Sequence, residues 1–546
     1  MITLTFVAIM LAALLAHVAG GSTRDAGAVS RVLASRAVVV VVFALTFLVL
    51  WVSWAAWNPI PEVHDEMAYV LQAQIFARGM WALPSPPLPD FWAQPHVLVE
   101  PALAAKYFPG HALLMTPGAL LGWPALMPLV LQSTSGALLY VLARRVSSGA
   151  VAFLAWIIWL TSPMVLFFGP TYFSESTTTA CWLAGWYALL EWRARRELGW
   201  LLAVALFTGW DAITRPLTGL AYAVPVGIVV LRDVLVHRRW RDFGLACAVG
   251  VLVLGILPLW SARTTHDWRV TPLALYTRMY MPYDVPGFGR DTTPPSHAVT
   301  PDLYQLNRTY SSMHVNHHLS ALPSTFIARA YDLAVSIWSA SGGVLMVFAV
   351  LGVLTLNSAT AFAVLSGVWL LVAYLVYGTP PEWTLYYYET VPGFAYLTAA
   401  GLAWAVSMMG RPRGAMAAPT FHWRSQRWSL ALAGAAVVLV LPGLTALSTT
   451  RGEHVDDRKA LTRFDKLLTS IHDPKAVVFV RYAPMHNPHT TLVRNVANPV
   501  TERIWVVYDR GDAENARLLA LAPARKAYLF DEEHRRTYLY EPTVAK

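Results

Sequence analysis

Residues 37–57, AVVVVVFALTFLVLWVSWAAW, run directly into residues 58–79, NPIPEVHDEMAYVLQAQIFARG. The first stretch carries no charge and has the length that crosses a bilayer, about 20 apolar residues. In the second, Asn58, Pro59 and Pro61 stop the helix as it leaves the membrane. Asp65 and Glu66 then open a new helix, with Asp65 as its N-cap and Glu66 at the positive end of its dipole. Met67, Val70, Leu71 and Ile75 share one face, and Gly79 ends the helix. Such a helix is expected to lie along the membrane surface. A membrane span thus delivers an acidic pair to the edge of the bilayer.

The rest of the chain repeats the first half of that pattern. Of 546 residues, 56% are hydrophobic and 13% charged, against about 25% charged in soluble domains. Comparable apolar runs recur near 124–143, 149–168, 176–192, 198–213, 217–231, 243–260, 337–356, 360–377, 390–409 and 429–448. With an N-terminal run before residue 21, the fold class is a multi-span all-α integral membrane protein of about 11–12 transmembrane helices. The net charge of +9 comes from arginines between the spans, which excludes a nucleic-acid-binding face. Arg24, Arg31 and Arg36, then Arg144 and Arg145, then Arg193, Arg195 and Arg196, then Arg232, Arg238, Arg239 and Arg241, and finally Arg411, Arg413, Arg424 and Arg427 fall in alternate loops. By the positive-inside rule those loops are cytoplasmic. Cys181 and Cys247 both lie in apolar runs, so no disulfide framework is expected.

This topology sends three long segments outward, 58–123, 261–335 and 449–546. The domains expected are an extra N-terminal span and cytoplasmic loop at 1–36, a transmembrane core at 37–448, and an extracytoplasmic α/β domain at 449–546. KAVVFV, RIWVVY and KAYLF in the last of these are β-rich, and NARLLALAP reads as a helix between two of them.

The outward segments hold the polar residues suited to chemistry. A carboxylate at Asp65 or Glu66 can take a proton from an attacking hydroxyl; the plainer reading is helix capping. Lys106, in VEPALAAKYFPGHALLM, can hold a phosphate as a point charge or snorkel at the interface. No phosphate-cradling nucleotide loop is present.

Four stretches together resemble glycosyltransferase superfamily C, in the bacterial branch related to protein O-mannosyltransferases, aminoarabinose transferases and rhizobial lipopolysaccharide-core transferases. HDEMAYVLQAQIFARG is similar to the acidic pair of the first outward loop. KYFPGHALL is similar to a Lys-Tyr-Pro-Pro-Gly turn, with Phe108 in place of the first proline. ITRPLTGL is similar to an Arg-Pro element. YYYETVPGFAYLTAAG is similar to a late Arg-Tyr-Tyr-x-Glu-x-x-Pro element, except that Leu385 stands where an arginine is usual. LYTRMYMPYDVPGFGRD also resembles an Asp-x-Pro-Gly-Phe-Gly stretch that folds over the cavity.

The resemblance implies an inverting single displacement on the extracytoplasmic face of the inner (plasma) membrane. A sugar leaves a polyprenyl-phosphate donor for the hydroxyl of a glycolipid, polysaccharide or protein acceptor. Asp65 is the expected base. Glu66, Lys106, Tyr107, Glu175, Arg215, Tyr387 and Glu389 are the expected substrate-binding residues, with Arg215 on the lipid phosphate and Glu175 on the acceptor. Each has a plainer reading: Glu175 as a helix start after Ser174, Arg215 as a snorkelling anchor, Tyr387 and Glu389 as an aromatic belt with a helix-start carboxylate. No cofactor and no metal are expected, with a divalent cation held in reserve because some members of the superfamily use one near the acidic pair. The loose spacing of His314, His317 and His318 lacks a fourth ligand. A transporter or flippase for a lipid-linked sugar is the alternative of a different class, and mid-span charges would favour it.

Overall fold

The computed structural model describes residues 23–54, 60–339, 343–409, 429–484 and 486–541. The N-terminal apolar run, the helix breakers Asn58 and Pro59, and the arginine cluster at 411–427 lie outside these residues. Six helices are long and apolar enough to cross a membrane: Arg36–Ser53, Leu126–Val146, Pro216–His237, Trp240–Thr264, Thr384–Met408 and Leu432–Asp457. The shorter apolar helices Gly149–Leu160, Leu198–Thr214, Val344–Thr355 and Val364–Val376 pack among them. Helix Glu175–Arg195 runs through the middle of the bundle and is buried along most of its length, including Thr177, Thr178 and Thr179. The protein is a multi-pass membrane protein with a small α/β unit at its C-terminal end.

The bundle has two chemically distinct ends. At one, Arg145 and Arg195 share Glu191, while Arg193 and Arg196 share Asp233. Arg144 donates to the carbonyls of Ala34 and Ser35, tying two helix ends together. Helix Glu175–Arg195 begins at the opposite end and finishes at this basic one. Helix Pro216–His237 runs the same way, so Arg215 and Glu175 stand together at the far end.

Three expectations need correction. The run 149–168 is not one helix: it stops at Leu160 and restarts at Pro163. Proline lacks the N–H that would continue the hydrogen-bond ladder. At about 1.5 Å per residue, the first piece alone is too short to cross the bilayer. The run at 337–356 also divides, because helix Leu322–Trp338 starts inside the expected loop 261–335 and a separate helix follows at Val344–Gly352.

The third correction concerns helix His64–Ala77. It ends as expected at Arg78, with Gly79 in the left-handed region at φ 72°. It does not lie open on the membrane surface, since His64, Glu66, Met67, Ala68, Tyr69, Leu71, Gln72, Ala73 and Ile75 are all buried. A roof covers it. Short strands β1 (Leu83–Pro84), β2 (Val97–Leu98) and β3 (Ala102–Ala105) form a small antiparallel sheet in the order β1-β3-β2. Above them sits the C-terminal sheet of β4 (Ala476–Arg481), β5 (Ile504–Tyr508), β6 (Lys526–Asp531) and β7 (Arg536–Leu539), in the order β5-β4-β6-β7. β4 is parallel to both neighbours, and helix Asp512–Leu521 makes the crossover from β5 to β6. Parallel strands need such a crossover, and a central strand covered on both faces reads as the unbroken apolar run of β4.

The C-terminal unit grips the first outward segment. Phe479 and Trp505 stack edge-on against Phe91 and Trp92. The Asn495 amide donates to the carbonyl of Trp92 at 2.7 Å, and its backbone N–H donates to Gln94 at 2.7 Å. The last span passes the expected boundary at 449 without a break and runs to Asp457.

Candidate active site

The far end of the bundle gathers polar side chains from segments far apart in the chain. Asp65, on the first turn of helix His64–Ala77, accepts a short hydrogen bond from the Tyr107 hydroxyl. Its carboxylate is 30% exposed, so one side remains open to an incoming group. Tyr107 and Lys106 follow β3 and enter the turn that begins helix Pro109–Leu120. Gly110 in that turn is required by contact: a β-carbon there would meet Thr214 and come within 2.9 Å of the Ile213 carbonyl. The absence of a side chain seats the turn directly on the end of helix Leu198–Thr214, next to Arg215.

Lys106 is buried, its ammonium 3.8 Å from Asp284 and above the rings of Tyr107 and Tyr276. Burial pushes its pKa down, while Asp284 and Asp65 pull it back up. Asp284 lies in the second outward segment and accepts from the Tyr377 hydroxyl at 3.0 Å. Tyr377 packs 6.2 Å from the Tyr386 ring, and the Arg215 guanidinium sits 5.3 Å above that same ring. Arg215 donates to the Tyr374 hydroxyl at 3.0 Å and pairs tightly with Glu175. A continuous path of contacts thus runs from the carboxylate of Asp65 through Tyr107, Lys106, Asp284, Tyr377 and Tyr386 to the cation of Arg215. Glu389 accepts from Thr178, one turn along from Glu175 on the same helix.

Two expected residues face elsewhere. The Glu66 carboxylate is buried and accepts from the backbone N–H groups of Glu62, Val63 and Tyr172, at 2.8, 3.2 and 2.9 Å. It reaches back over the helix start, and Val63 rather than Asp65 is the N-cap. Burial, and then Glu62 beside it, push its pKa up to about 8. Tyr387 is 1% exposed and packs into the main apolar core, because the 3-10 turn Thr384–Thr390 is bent at that residue. The same bend presents Tyr386 to Arg215. Leu385, in place of the usual arginine, is packed against apolar neighbours. The buried Arg329 guanidinium spends its hydrogen bonds on the carbonyls of Tyr374, Tyr377 and Thr379, so it shapes the turn carrying two of the site tyrosines.

Sequence reasoning missed Asp284, Tyr386, Tyr374, Tyr377 and His96 as individual residues. Asp284 lies inside a stretch already singled out, LYTRMYMPYDVPGFGRD, where the one carboxylate ahead of the turn was its signal. His96 had none. It sits in the left-handed region at φ 65°, its ring stacked 4.3 Å from that of His64. Burial holds both imidazoles neutral, lowering His64 to about 4 and His96 well below its ordinary value.

Asp65, Lys106, Arg215, Glu175 and the tyrosines around them are thus gathered at one end of a helical bundle. The chain shares its fold with ArnT from Cupriavidus metallidurans. Against the crystal structure of ArnT bound to undecaprenyl phosphate the TM-score is 0.54, with 15% identity over 92% of this chain and 94% of that one. Against ArnT in the apo state the TM-score is 0.52, with 14% identity over the same shares. A looser likeness, with a TM-score of 0.40 and 12% identity, links 91% of this chain to 69% of the Archaeoglobus fulgidus oligosaccharyltransferase. No protein-family model and no curated protein sequence matches the chain.

Proposed function

We propose that the protein is a membrane glycosyltransferase that moves a sugar from a polyprenyl phosphate to an acceptor hydroxyl on the extracytoplasmic face. The observation that carries this reading is the path of contacts that joins Asp65 through Tyr107, Lys106, Asp284, Tyr377 and Tyr386 to Arg215, at the end of the bundle opposite the basic loops. The fold shared with a protein crystallised bound to undecaprenyl phosphate supports a lipid-phosphate donor.

The chemistry follows from charge. In an inverting displacement the acceptor oxygen attacks the anomeric carbon, its proton passes to Asp65, and the sugar–phosphate bond breaks with its electron pair on phosphate. Negative charge grows on the phosphate, where Arg215 supplies planar paired donors and Lys106 a compact charge. Glu175 and Asp284 hold these cations in place before the donor arrives. Tyr386, with Arg215 on its face, flanks the phosphate position. Glu389 extends the wall that meets the sugar or acceptor.

The test is turnover of polyprenyl-phosphate sugars by the purified protein over a panel of acceptors. Asp65→Asn is expected to lower turnover by about 100-fold or more while donor binding persists, as loss of a general base does. Near-wild-type turnover in that variant would remove Asp65 from the role.

A transporter for the same lipid-linked sugar is the second reading. It is favoured by Asp211, fully buried within helix Leu198–Thr214 with neither carboxylate oxygen hydrogen-bonded among the described residues. A buried ionisable group inside a span is costly and marks ion or substrate pathways. Movement of labelled lipid across reconstituted bilayers, with no new glycosidic bond, would select it.

A further inference from the structure

The basic end of the bundle holds charge that its own carboxylates do not absorb. Arg144, Arg145, Arg193, Arg195, Arg196 and Arg239 are each committed to a carboxylate or a backbone carbonyl. Arg232, Arg238 and Arg241 are exposed, and none of the three pairs with a carboxylate among the described residues. All three belong to RDVLVHRRWRD, residues 232–242. Its aspartates are already engaged, Asp233 by Arg193 and Arg196, and Asp242 by Arg239.

This stretch forms the corner between two spans. Helix Pro216–His237 ends in it and helix Trp240–Thr264 begins in it, with Arg238 between them in the left-handed region at φ 55°. The two helices pack on helix Leu198–Thr214 and scarcely touch each other, which leaves a groove between them. Their surfaces at this end are apolar and open. Ile228, Arg232 and Leu235 share one face of the first helix, and the two apolar members are 65% and 56% exposed. Arg241, Leu245 and Leu252 share one face of the second, where the two leucines are also exposed. Each of these arginines therefore interrupts or ends an apolar stripe. Arg232 stands five residues before the helix end, about 8 Å at 1.5 Å per residue, a depth from which a guanidinium reaches the head groups. Trp240, 52% exposed, adds an indole at the same level, as interfacial tryptophans do.

Three guanidiniums without carboxylates, at the mouth of an apolar groove, match a ligand with an anionic head and apolar tails. Guanidinium meets phosphate through paired donors, and basic pockets between spans take the head groups of anionic lipids. We propose that this corner binds one anionic diacyl phospholipid of the phosphatidylglycerol type. Its phosphate lies among Arg232, Arg238 and Arg241, and its chains follow the groove. The site stands at the opposite end of the bundle from Asp65 and Arg215 and does not rest on the transferase reading. A lipid seated there joins two spans that the protein's own contacts leave apart.

The test uses the full-length protein, freed of phospholipid in a neutral detergent. It is titrated with palmitoyl-oleoyl phosphatidylglycerol and, separately, with phosphatidylcholine of the same chains. Native mass spectrometry counts the bound lipid, and melting reports stabilisation. One phosphatidylglycerol per chain is expected at low lipid, with a rise in melting temperature, and phosphatidylcholine should give neither. Arg232→Gln, Arg238→Gln and Arg241→Gln should each weaken binding about fivefold, and the triple variant about 100-fold. An unchanged lipid-free melt shows that a variant is folded; where the triple variant fails that check, the single variants decide. Arg263→Gln, exposed near the other end of the second span, should bind as wild type. Equal retention of the two lipids, or phosphatidylglycerol binding that the arginine variants leave intact, overturns the proposal. So does a preference for undecaprenyl phosphate over phosphatidylglycerol, which would make the corner a polyprenyl-phosphate site instead.

Discussion

Tyr386 and Tyr387 are adjacent and identical in the sequence, and the structure gives them opposite tasks. The Arg215 guanidinium lies over the first, and the second is sealed in the core. Tyr386→Ala should raise the KM for the lipid donor about tenfold, the scale of a desolvated cation–π contact. Tyr387→Phe should change KM little, because its ring is sealed in the apolar core away from the Arg215 cation. Donor titrations of the two variants would check this, and the reverse ranking would exchange their roles. That Asp65, Lys106, Tyr107, Glu175 and Arg215 would gather at one end of the bundle was legible because each residue type has a narrow chemical use at a membrane edge. Tyr386 was not, because three successive tyrosines carry no phase information until a bend within the 3-10 turn sets one. That Glu66 turns inward was not legible for a related reason. An acidic pair at a helix start divides its labour, and sequence does not say which member turns inward to satisfy backbone N–H groups.

Among the elements, the joint between the first outward helix and the last span is held by charge. Glu62 accepts from His454 at 2.9 Å and pairs with Arg458 at 3.1 Å, all three nearly inaccessible to water. Removing one partner of a buried pair strands the other. Arg458→Met should therefore cost about 3–5 kcal/mol, and adding Glu62→Gln should restore much of it. Melting of the single and double variants checks the coupling; simple additivity would show that the pair does not act as a unit. A second joint ties the C-terminal unit to the second outward segment, where Tyr508 donates to Asp302 at 2.7 Å. Burial raises the Asp302 pKa above its ordinary value despite the hydrogen bonds it accepts. A carboxyl raised on folding favours the folded state fully only below its unfolded pKa of about 3.9, and that advantage is lost as pH rises through the folded value. The stability of wild type relative to Asp302→Asn should thus fall from about pH 4 to pH 7, read from melts at both. Most of the apolar spans, the strands β4, β5 and β6, and the stop at Gly79 were legible from apolar periodicity and turn residues. The roof over helix His64–Ala77 was not, because its contacts join residues some 400 positions apart, such as Asn495 and Trp92.

The whole molecule is polarised. Arginines and their carboxylate partners close one end of the bundle, and the candidate site and the α/β unit occupy the other. Single cysteines introduced in a Cys181→Ala, Cys247→Ala background test the orientation. Lys475→Cys should react with an impermeant maleimide added outside the cell membrane, and Arg238→Cys only after permeabilisation. The opposite pattern would place the candidate site on the cytoplasmic side. Alternating basic loops foretold this polarity from sequence, since lipid and membrane potential act on every span alike. The split at Pro163 escaped the same reasoning because hydropathy averages over the residue that breaks a helix.

The grip of the C-terminal unit on the first outward segment also has a meaning in time. Ribosomes make Glu62 and His64 early, and Glu62 meets His454 only after 392 further residues have been added. Until the C-terminal unit follows, the helix bearing Asp65 has only the β1–β3 part of its roof, and His64 has no His489 beside it. On the proposed orientation, the nascent chain therefore carries Asp65 across the membrane before these contacts can form. If the transferase reading holds, a chain cut short before the C-terminal unit is expected to be inserted but silent.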